Sequence, residues 1–165
     1  KHRTVTTLSP SMDIQVSSNF ERLLYDYLRK DSNLINGYFS DLNQRDMFTI
    51  EKKVLKRILT IFQGFRLNDK ATKESIRKIY KNYNHLIDPH TAVGIEAGRE
   101  NLIHNELNVY LATAHYGKFI NTVNNSLEKD IKPPKKLSDT LKKKEYYDIL
   151  ENNMLEVEKY IISNN

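Results

Sequence analysis

Side chains that could bind an anion crowd the stretch "SPSMDIQVSSNFER", which runs from residue 9 to residue 22. Ser18 and Glu21 have the spacing of a capping box, so we expect a helix to begin at Ser18. A helix N-terminus presents free amides and a partial positive charge, which suit a phosphate or a carboxylate. The side chains that could join these amides are Ser11, Ser17, Ser18, Asn19 and Arg22. The same residues also suit plain capping and turn roles, and both interpretations stay open.

Asp88 directly precedes Pro89 in the stretch "DPHTAVG". A residue before proline is biased away from helix, so the next helix is expected to begin at Pro89. His90 and Thr91 then lie in its first turn. This arrangement suits a ligand site, and it equally suits an ordinary N-cap.

Thr113 lies near the end of the apolar run "VYLATA", which predicts a buried strand. Ligands of open α/β sheets bind at the carboxyl ends of strands, so the Thr113 hydroxyl is well placed for a ligand contact. A strand-end threonine that is satisfied locally explains the pattern equally well.

Composition excludes several classes of protein. The 165 residues suit one domain, and 26 Lys and Arg against 21 Asp and Glu give a net charge of +5. This charge is compatible with an anionic ligand but is weak evidence for nucleic acid, so no nucleic-acid partner is expected. With no cysteine, disulfides and thiolate metal sites are impossible, and a reducing cytoplasm is the natural compartment. The five histidines have no metal-binding spacing, so no metal is expected. No apolar run approaches the roughly 20 residues that span a bilayer, so no membrane segment is expected either.

Apolar periodicity predicts helices over about 18–30, 50–63, from 68 or 69, from 89, from 118, and over about 138–162. Residues 31–46 look like a loop, because Asn36-Gly37 is a turn signal, and 129–136 look like a linker. Short strands are expected at 3–8, 64–67 and 107–114. Two or three isolated strands cannot form a stable sheet, and the chain begins at Lys1, so we expect a fragment whose strands pair with a preceding portion.

Three blocks resemble, in order, the C-terminal part of threonine synthases, which use pyridoxal 5′-phosphate. They are "TLSPSMDIQVSSNFERLL", "LIDPHTAVG" and "LATAHYGKF". The third block departs from the family pattern at Tyr116-Gly117, where the family has Pro-Ala. This departure could move the start of the following helix.

The resemblance implies an α/β fold of the tryptophan-synthase-β class. This chain would be its helix-rich C-terminal segment, the last part of the pyridoxal-phosphate domain over 1–165, with two or three strands in a larger parallel sheet and a helical tail at about 137–165. The family converts O-phospho-L-homoserine and water to L-threonine and phosphate. Its Schiff-base lysine and Gly/Asn-rich phosphate loop lie upstream, so the resemblance implies no catalytic residue here and an inactive isolated chain.

The resemblance also assigns roles to residues that are present. Thr113 matches the hydroxyl that binds the pyridine nitrogen of the cofactor, and Ala112 and His115 flank it. The substrate-binding candidates are Ser11, Asp13, Asn19 and Arg22. Asp13 would repel a phosphate, so we expect its carboxylate to order Arg22 or a backbone amide. Asp88, His90 and Thr91 are expected to support the cofactor site from behind.

Two other functions remain open at this point. One is a threonine-synthase-like enzyme that acts on another phosphorylated hydroxy amino compound. The other is a non-enzymatic helical interaction domain whose contact surface is the lysine-rich run 129–144.

Overall fold

A computed structural model describes residues 4–101 and 106–164, which form two units divided between Lys132 and Pro133. In the first unit, a 3₁₀ turn at Pro10–Met12 precedes five helices, and a second 3₁₀ turn at Tyr116–Phe119 precedes a sixth. The helices are α1 (Ser18–Tyr27), α2 (Ser32–Arg45), α3 (Lys52–Ile58), α4 (Asp69–Tyr83), α5 (Pro89–Glu100) and α6 (Ile120–Leu127), followed in the second unit by α7 (Lys135–Thr140) and α8 (Met154–Ser163). Within the ranges described, none of these helices has the length and apolarity needed to cross a membrane.

Two apolar clusters hold the first unit together. One joins α1, α2 and α3, where Leu24 of α1 is buried and Leu23 and Tyr27 of the same helix are half-buried. The other joins α4, α5 and α6, with Val123 fully buried. The buried members are Leu24, Leu28, Ile35, Val54 and Ile58 in the first cluster, and Ile76, Ile79, Ile87 and Ala92 in the second.

The predicted starting points of α4 and α5 are confirmed, and a side chain caps each helix there. Asn68 caps α4 by accepting the Ala71 amide, as predicted. Asp88 has extended backbone angles and caps α5, which begins at Pro89 as predicted. The predicted capping box of α1 is wrong, because Ser17 rather than Ser18 is the N-cap and its side chain makes no capping hydrogen bond.

The predicted loop over residues 31–46 is also wrong, because α2 occupies it. The Asp31 carboxylate accepts the amides of Asn33 and Leu34 and so begins the helix. The buried side chain of Ile35 then packs on α1 and α3. A strong cap and a buried face outweigh the local preference of Asn36-Gly37 for a turn.

The predicted strands form no strand ladder within 4–101 and 106–164. Leu107, Val109 and Leu111 are 90%, 76% and 77% exposed, so these three side chains are covered by neither sheet nor helix in the part of the chain described. Extended segments need neighbouring strands to become a sheet. Lys118, predicted to begin a helix, lies instead in the 3₁₀ turn before α6.

The predicted single tail helix over about 138–162 is wrong, because residues 141–153 between α7 and α8 are not helical. Asn153 begins a new helix by accepting the amides of Leu155 and Glu156. The Tyr160 hydroxyl donates to the Asp148 carboxylate, and this hydrogen bond raises the pKa of Tyr160. The tail is therefore helical in two pieces.

Gly98 on α5 allows the Tyr110 ring to pack closely against the helix, whereas nothing packs against Gly94. A Cβ on Gly98 would lie 2.3 Å from Cε1 of Tyr110, and a Cβ on Gly94 would meet nothing within 4 Å. We therefore expect Gly94→Ala to raise the free energy of unfolding by about 0.5–1 kcal/mol through helix propensity alone.

Gly98→Ala should lose that gain, because the Tyr110 ring must move, and should fall about 1–3 kcal/mol below Gly94→Ala in chemical denaturation. Equal stabilities of the two variants would show that Tyr110 does not rest on α5.

Candidate functional site

His90 lies where the three sequence blocks meet. Its Nε2 lies 3.2 Å from the amide nitrogen of Ser11 in the first block. Its Nδ1 lies 2.8 Å from Oδ1 of Asp88 in the second block. The ring of Phe119, in the third block, packs with its centroid 4.8 Å from that of the imidazole. Segments separated by 79 residues of sequence are thus joined at one side chain.

The hydrogen bonds of His90 fix its tautomer. A backbone amide only donates, so Nε2 must be the unprotonated acceptor for Ser11. Nδ1 then carries the proton and donates it to the Asp88 carboxylate. His90 is only 5% exposed, so water competes little for either bond.

Asp88 is the hydrogen-bonding centre beneath His90. Its side chain is completely buried. It accepts the amides of His90 and Thr91, the Nδ1 proton of His90 and the hydroxyl of Thr91. Four donors and the N-terminus of α5 together stabilise a buried carboxylate that would otherwise be costly.

The buried aspartate and histidine do not form a nucleophilic triad with a serine. In such a triad, Nε2 accepts the serine hydroxyl. Here Nε2 accepts the backbone amide of Ser11 instead. The arrangement therefore holds the backbone in place and activates no hydroxyl.

The turn at residues 9–13 is ordered by its own carboxylate. Asp13 accepts the backbone amide of Thr7 at 2.7 Å and the Thr7 hydroxyl at 2.8 Å. The expectation that Asp13 orders a backbone amide is confirmed, and Arg22 is not its partner. Leu8, next to Thr7, donates its amide to Asp69 at the start of α4, at 2.9 Å.

Two other substrate-binding candidates lie at the start of α1. Asn19 and Arg22 are both exposed, and the Asn19 side-chain oxygen accepts the Phe20 amide at 3.0 Å. Among the residues that the structure describes, Arg22 is the lysine or arginine nearest in sequence to the turn at 9–13, and it is exposed.

The cofactor candidates Ala112, Thr113 and His115 are exposed and lie just before the 3₁₀ turn at Tyr116–Phe119. His115 begins this turn, because its Nδ1 accepts the Gly117 amide at 3.0 Å. No hydrogen bond in the described part of the chain joins Thr113 to His90 or to the turn at 9–13. The structure thus joins Ser11 to the Asp88 group through His90, and within the described ranges no hydrogen bond links Thr113 to either.

A cavity of about 550 Å³ opens beside the first block. Met12, Asp13, Ile14 and Val16 form one wall, and Leu42 lies on the α2 side. Two carboxylates and no lysine or arginine line it, so it does not suit a phosphorylated substrate.

Two of the side chains that build the site, Thr7 and Phe119, were not among the predicted site residues. Thr7 belongs to the first block, and its spacing from Asp13 is the one signal that could have suggested their contact. Phe119 approaches His90 only through the tertiary fold, for which the sequence contains no periodic signal.

Comparisons with known proteins agree on one family. The family model described as "Threonine synthase, C-terminal" matches residues 91–161. Threonine synthase from Saccharomyces cerevisiae is 38% identical over 86% of this chain. The crystal structure of PLP-bound threonine synthase from Brucella melitensis superposes with a TM-score of 0.79 at 36% identity, over 96% of this chain. This chain is similar to the C-terminal part of threonine synthases.

The chain spans about a third of the length of these threonine synthases, 33% of the Saccharomyces cerevisiae protein and 34% of the Brucella melitensis chain. A second threonine synthase structure, from yeast, gives a TM-score of 0.74 at 32% identity over 99% of this chain. The match is therefore to a C-terminal segment of threonine synthase. All three blocks can be interpreted as parts of that segment.

Proposed function

We propose that this chain is the C-terminal third of a threonine synthase that converts O-phospho-L-homoserine and water to L-threonine and phosphate. The observation that carries the proposal is the meeting of the three family blocks at His90. A chance likeness in three short stretches would not bring them into mutual hydrogen bonding and ring contact. The PLP-bound relative adds support for the cofactor.

Pyridoxal 5′-phosphate would supply an electron sink for removing protons from the substrate. The residues that would hold it here are Thr113, with Ala112 and His115 beside it. The fit is favourable, because Thr113 is exposed and no hydrogen bond within the described ranges occupies its hydroxyl. A neutral hydroxyl at the pyridine nitrogen would leave that nitrogen largely unprotonated, unlike a carboxylate partner.

The phosphate group of the substrate would lie at the N-terminus of α1, near Ser18. Ser11, Asn19 and Arg22 supply a hydroxyl, an amide and a guanidinium on exposed positions. Asp13 would shape this wall and make no direct contact, because both of its oxygens already bind Thr7.

The extended segments at 4–8 and 107–113 would supply strands to a larger parallel sheet. The high exposure of Leu107, Val109 and Leu111 supports this, because apolar side chains in the strands of α/β sheets are normally covered on both faces. The neighbouring strands would come from the portion of the enzyme that precedes this chain. The absence of cysteine agrees with a cytoplasmic enzyme.

The test is an assay of the complete protein, loaded with pyridoxal 5′-phosphate, on O-phospho-L-homoserine. We expect threonine and inorganic phosphate in equal amounts, because one substrate molecule yields one of each. A parallel assay with O-phosphoserine provides the control for nonspecific phosphate release.

Threonine without phosphate, or neither product, would contradict the proposal. Phosphate with a product other than threonine would favour a threonine-synthase-like enzyme of different specificity. Salt-sensitive binding of an acidic protein without any turnover would favour an interaction domain.

A further inference from the structure

The turn at residues 9–13 is tied to the rest of the unit at two places. The Leu8 amide donates to Oδ1 of Asp69, and this bond is exposed to water. The Ser11 amide donates to Nε2 of His90, whose ring is 5% exposed. The acceptor on His90 is buried, so water competes for it less than for the exposed carboxylate of Asp69.

Nε2 of His90 can accept a hydrogen bond because Asp88 holds the ring proton on Nδ1. Asp88 is completely buried and takes the proton of Nδ1, so the lone pair stays on Nε2. Phe119 packs against the ring at a centroid distance of 4.8 Å and restricts its rotation. Tautomer and orientation are therefore both set before any ligand arrives.

We propose that His90 is a positioning residue that fixes the substrate side of the site, by holding the Ser11 backbone through its unprotonated Nε2. This rests on the proposed function, in which the turn at 9–13 and the start of α1 receive the substrate phosphate. His90 touches neither substrate nor cofactor in this arrangement. Its loss should therefore raise the KM for O-phospho-L-homoserine while the affinity for pyridoxal 5′-phosphate stays constant.

Two substitutions separate the two nitrogens of His90 in the complete protein. His90→Asn keeps a donor near the Nδ1 position for Asp88 but cannot reach Ser11. His90→Gln carries an acceptor oxygen near the Nε2 position but loses the donor to Asp88. We expect His90→Asn to raise the KM about tenfold, the worth of one neutral hydrogen bond, with kcat changed less than twofold. His90→Gln should remain within about threefold of the wild-type KM.

Hydrogen exchange at the Ser11 amide provides a second measurement, read by mass spectrometry on peptides covering residues 7–16. Exchange should accelerate at least tenfold in His90→Asn and much less in His90→Gln. His85→Asn is the matched control, because His85 precedes α5 in the connection from α4 and is exposed, whereas His90 is buried in the first turn of α5. It should leave KM, kcat and exchange unchanged.

Several results would overturn the proposal. If His90→Asn and His90→Gln raise the KM equally, the acceptor at Nε2 is irrelevant. If the dissociation constant of pyridoxal 5′-phosphate rises while the KM is constant, His90 supports the cofactor side instead.

The wild-type protein offers a test that needs no variant. Nitrogen-15 NMR of histidine-labelled protein should show Nδ1 of His90 protonated and Nε2 unprotonated. The opposite tautomer would contradict the proposal. If the wild-type protein makes no threonine, the proposed function fails, while the exchange and NMR measurements still decide whether His90 holds the turn.

Discussion

Replacing Asp88 with alanine is expected to lower the free energy of unfolding by about 3–5 kcal/mol, the largest stability effect among the substitutions considered for this chain. The variant removes the acceptor for two amides, the Thr91 hydroxyl and the Nδ1 proton of His90. All of these donors lie in a region where residues 88–91 are buried, so water cannot replace the carboxylate. Chemical denaturation followed by circular dichroism measures the loss.

Asp31→Ala is the matched control for this prediction. Asp31 caps α2 by the same pattern, accepting the amides of Asn33 and Leu34, but it is exposed and supports no histidine. Its loss should cost about 1 kcal/mol, the usual worth of an N-cap. Equal losses for Asp31→Ala and Asp88→Ala would mean that Asp88 acts only as a helix cap.

Asp88→Asn tests the charge of the same side chain. Asparagine keeps one acceptor oxygen for the helix amides but turns an NH₂ group toward donors that need an acceptor. We expect a loss between those of the two alanine variants. A fully stable Asp88→Asn would contradict the assignment of the Nδ1 proton of His90 to this carboxylate.

Local chemistry predicted the elements whose signals lie within a few residues. Asn68 and Asp88 cap α4 and α5 because their side chains reach amides two or three positions ahead, and such spacings are visible in a sequence. The resemblance implied a phosphate near Asp13, and because that phosphate would repel the carboxylate, a hydrogen-bond donor to Asp13 was expected; the Thr7 amide is that donor.

The two wrong element predictions, the loop over 31–46 and the single tail helix, lie where local sequence signals conflict. Asp31 and the spacing of Ile35 and Phe39 favoured α2, while Asn36-Gly37 favoured a turn, and only the burial of Ile35 decides between them. In the tail, apolar periodicity ran through 138–162, but Asn153 starts a separate helix by capping it. Propensity scales describe local preferences only, so they cannot compare the stability gained from a helix cap with that gained from tertiary packing.

The centre of the site depends on contacts that no local pattern encodes. Ser11 and His90 are 79 residues apart, and Phe119 reaches His90 from a third segment. The resemblance to a family named all three blocks, but it assigned His90 to the cofactor side. The hydrogen bond from Ser11 joins His90 to the turn at residues 9–13, a contact that the resemblance did not indicate.

Replacing Arg22 with glutamine in the complete protein is expected to cause the largest loss of activity, a fall of about 10²-fold in kcat/KM for O-phospho-L-homoserine. Arg22 presents an exposed guanidinium in the first turns of α1, where the helix N-terminus also favours an anion. A guanidinium binds phosphate through two parallel hydrogen bonds, and losing such a charged contact costs about 2–3 kcal/mol.

Arg22→Lys separates charge from geometry at this position. Lysine keeps the positive charge but not the planar fork, so kcat/KM should recover only partly. Arg66→Gln is the control, because Arg66 is also exposed but lies between α3 and α4. It removes the same charge from the protein and should leave kcat/KM within twofold.

Salt dependence sharpens the Arg22 prediction. If Arg22 binds the substrate phosphate, the KM of the wild-type protein should rise with ionic strength more steeply than that of Arg22→Gln, because screening weakens an ion pair and not a neutral contact. Parallel salt dependences, or equal losses in Arg22→Gln and Arg66→Gln, would show that net charge attracts the substrate and that the mouth of α1 does not bind its phosphate.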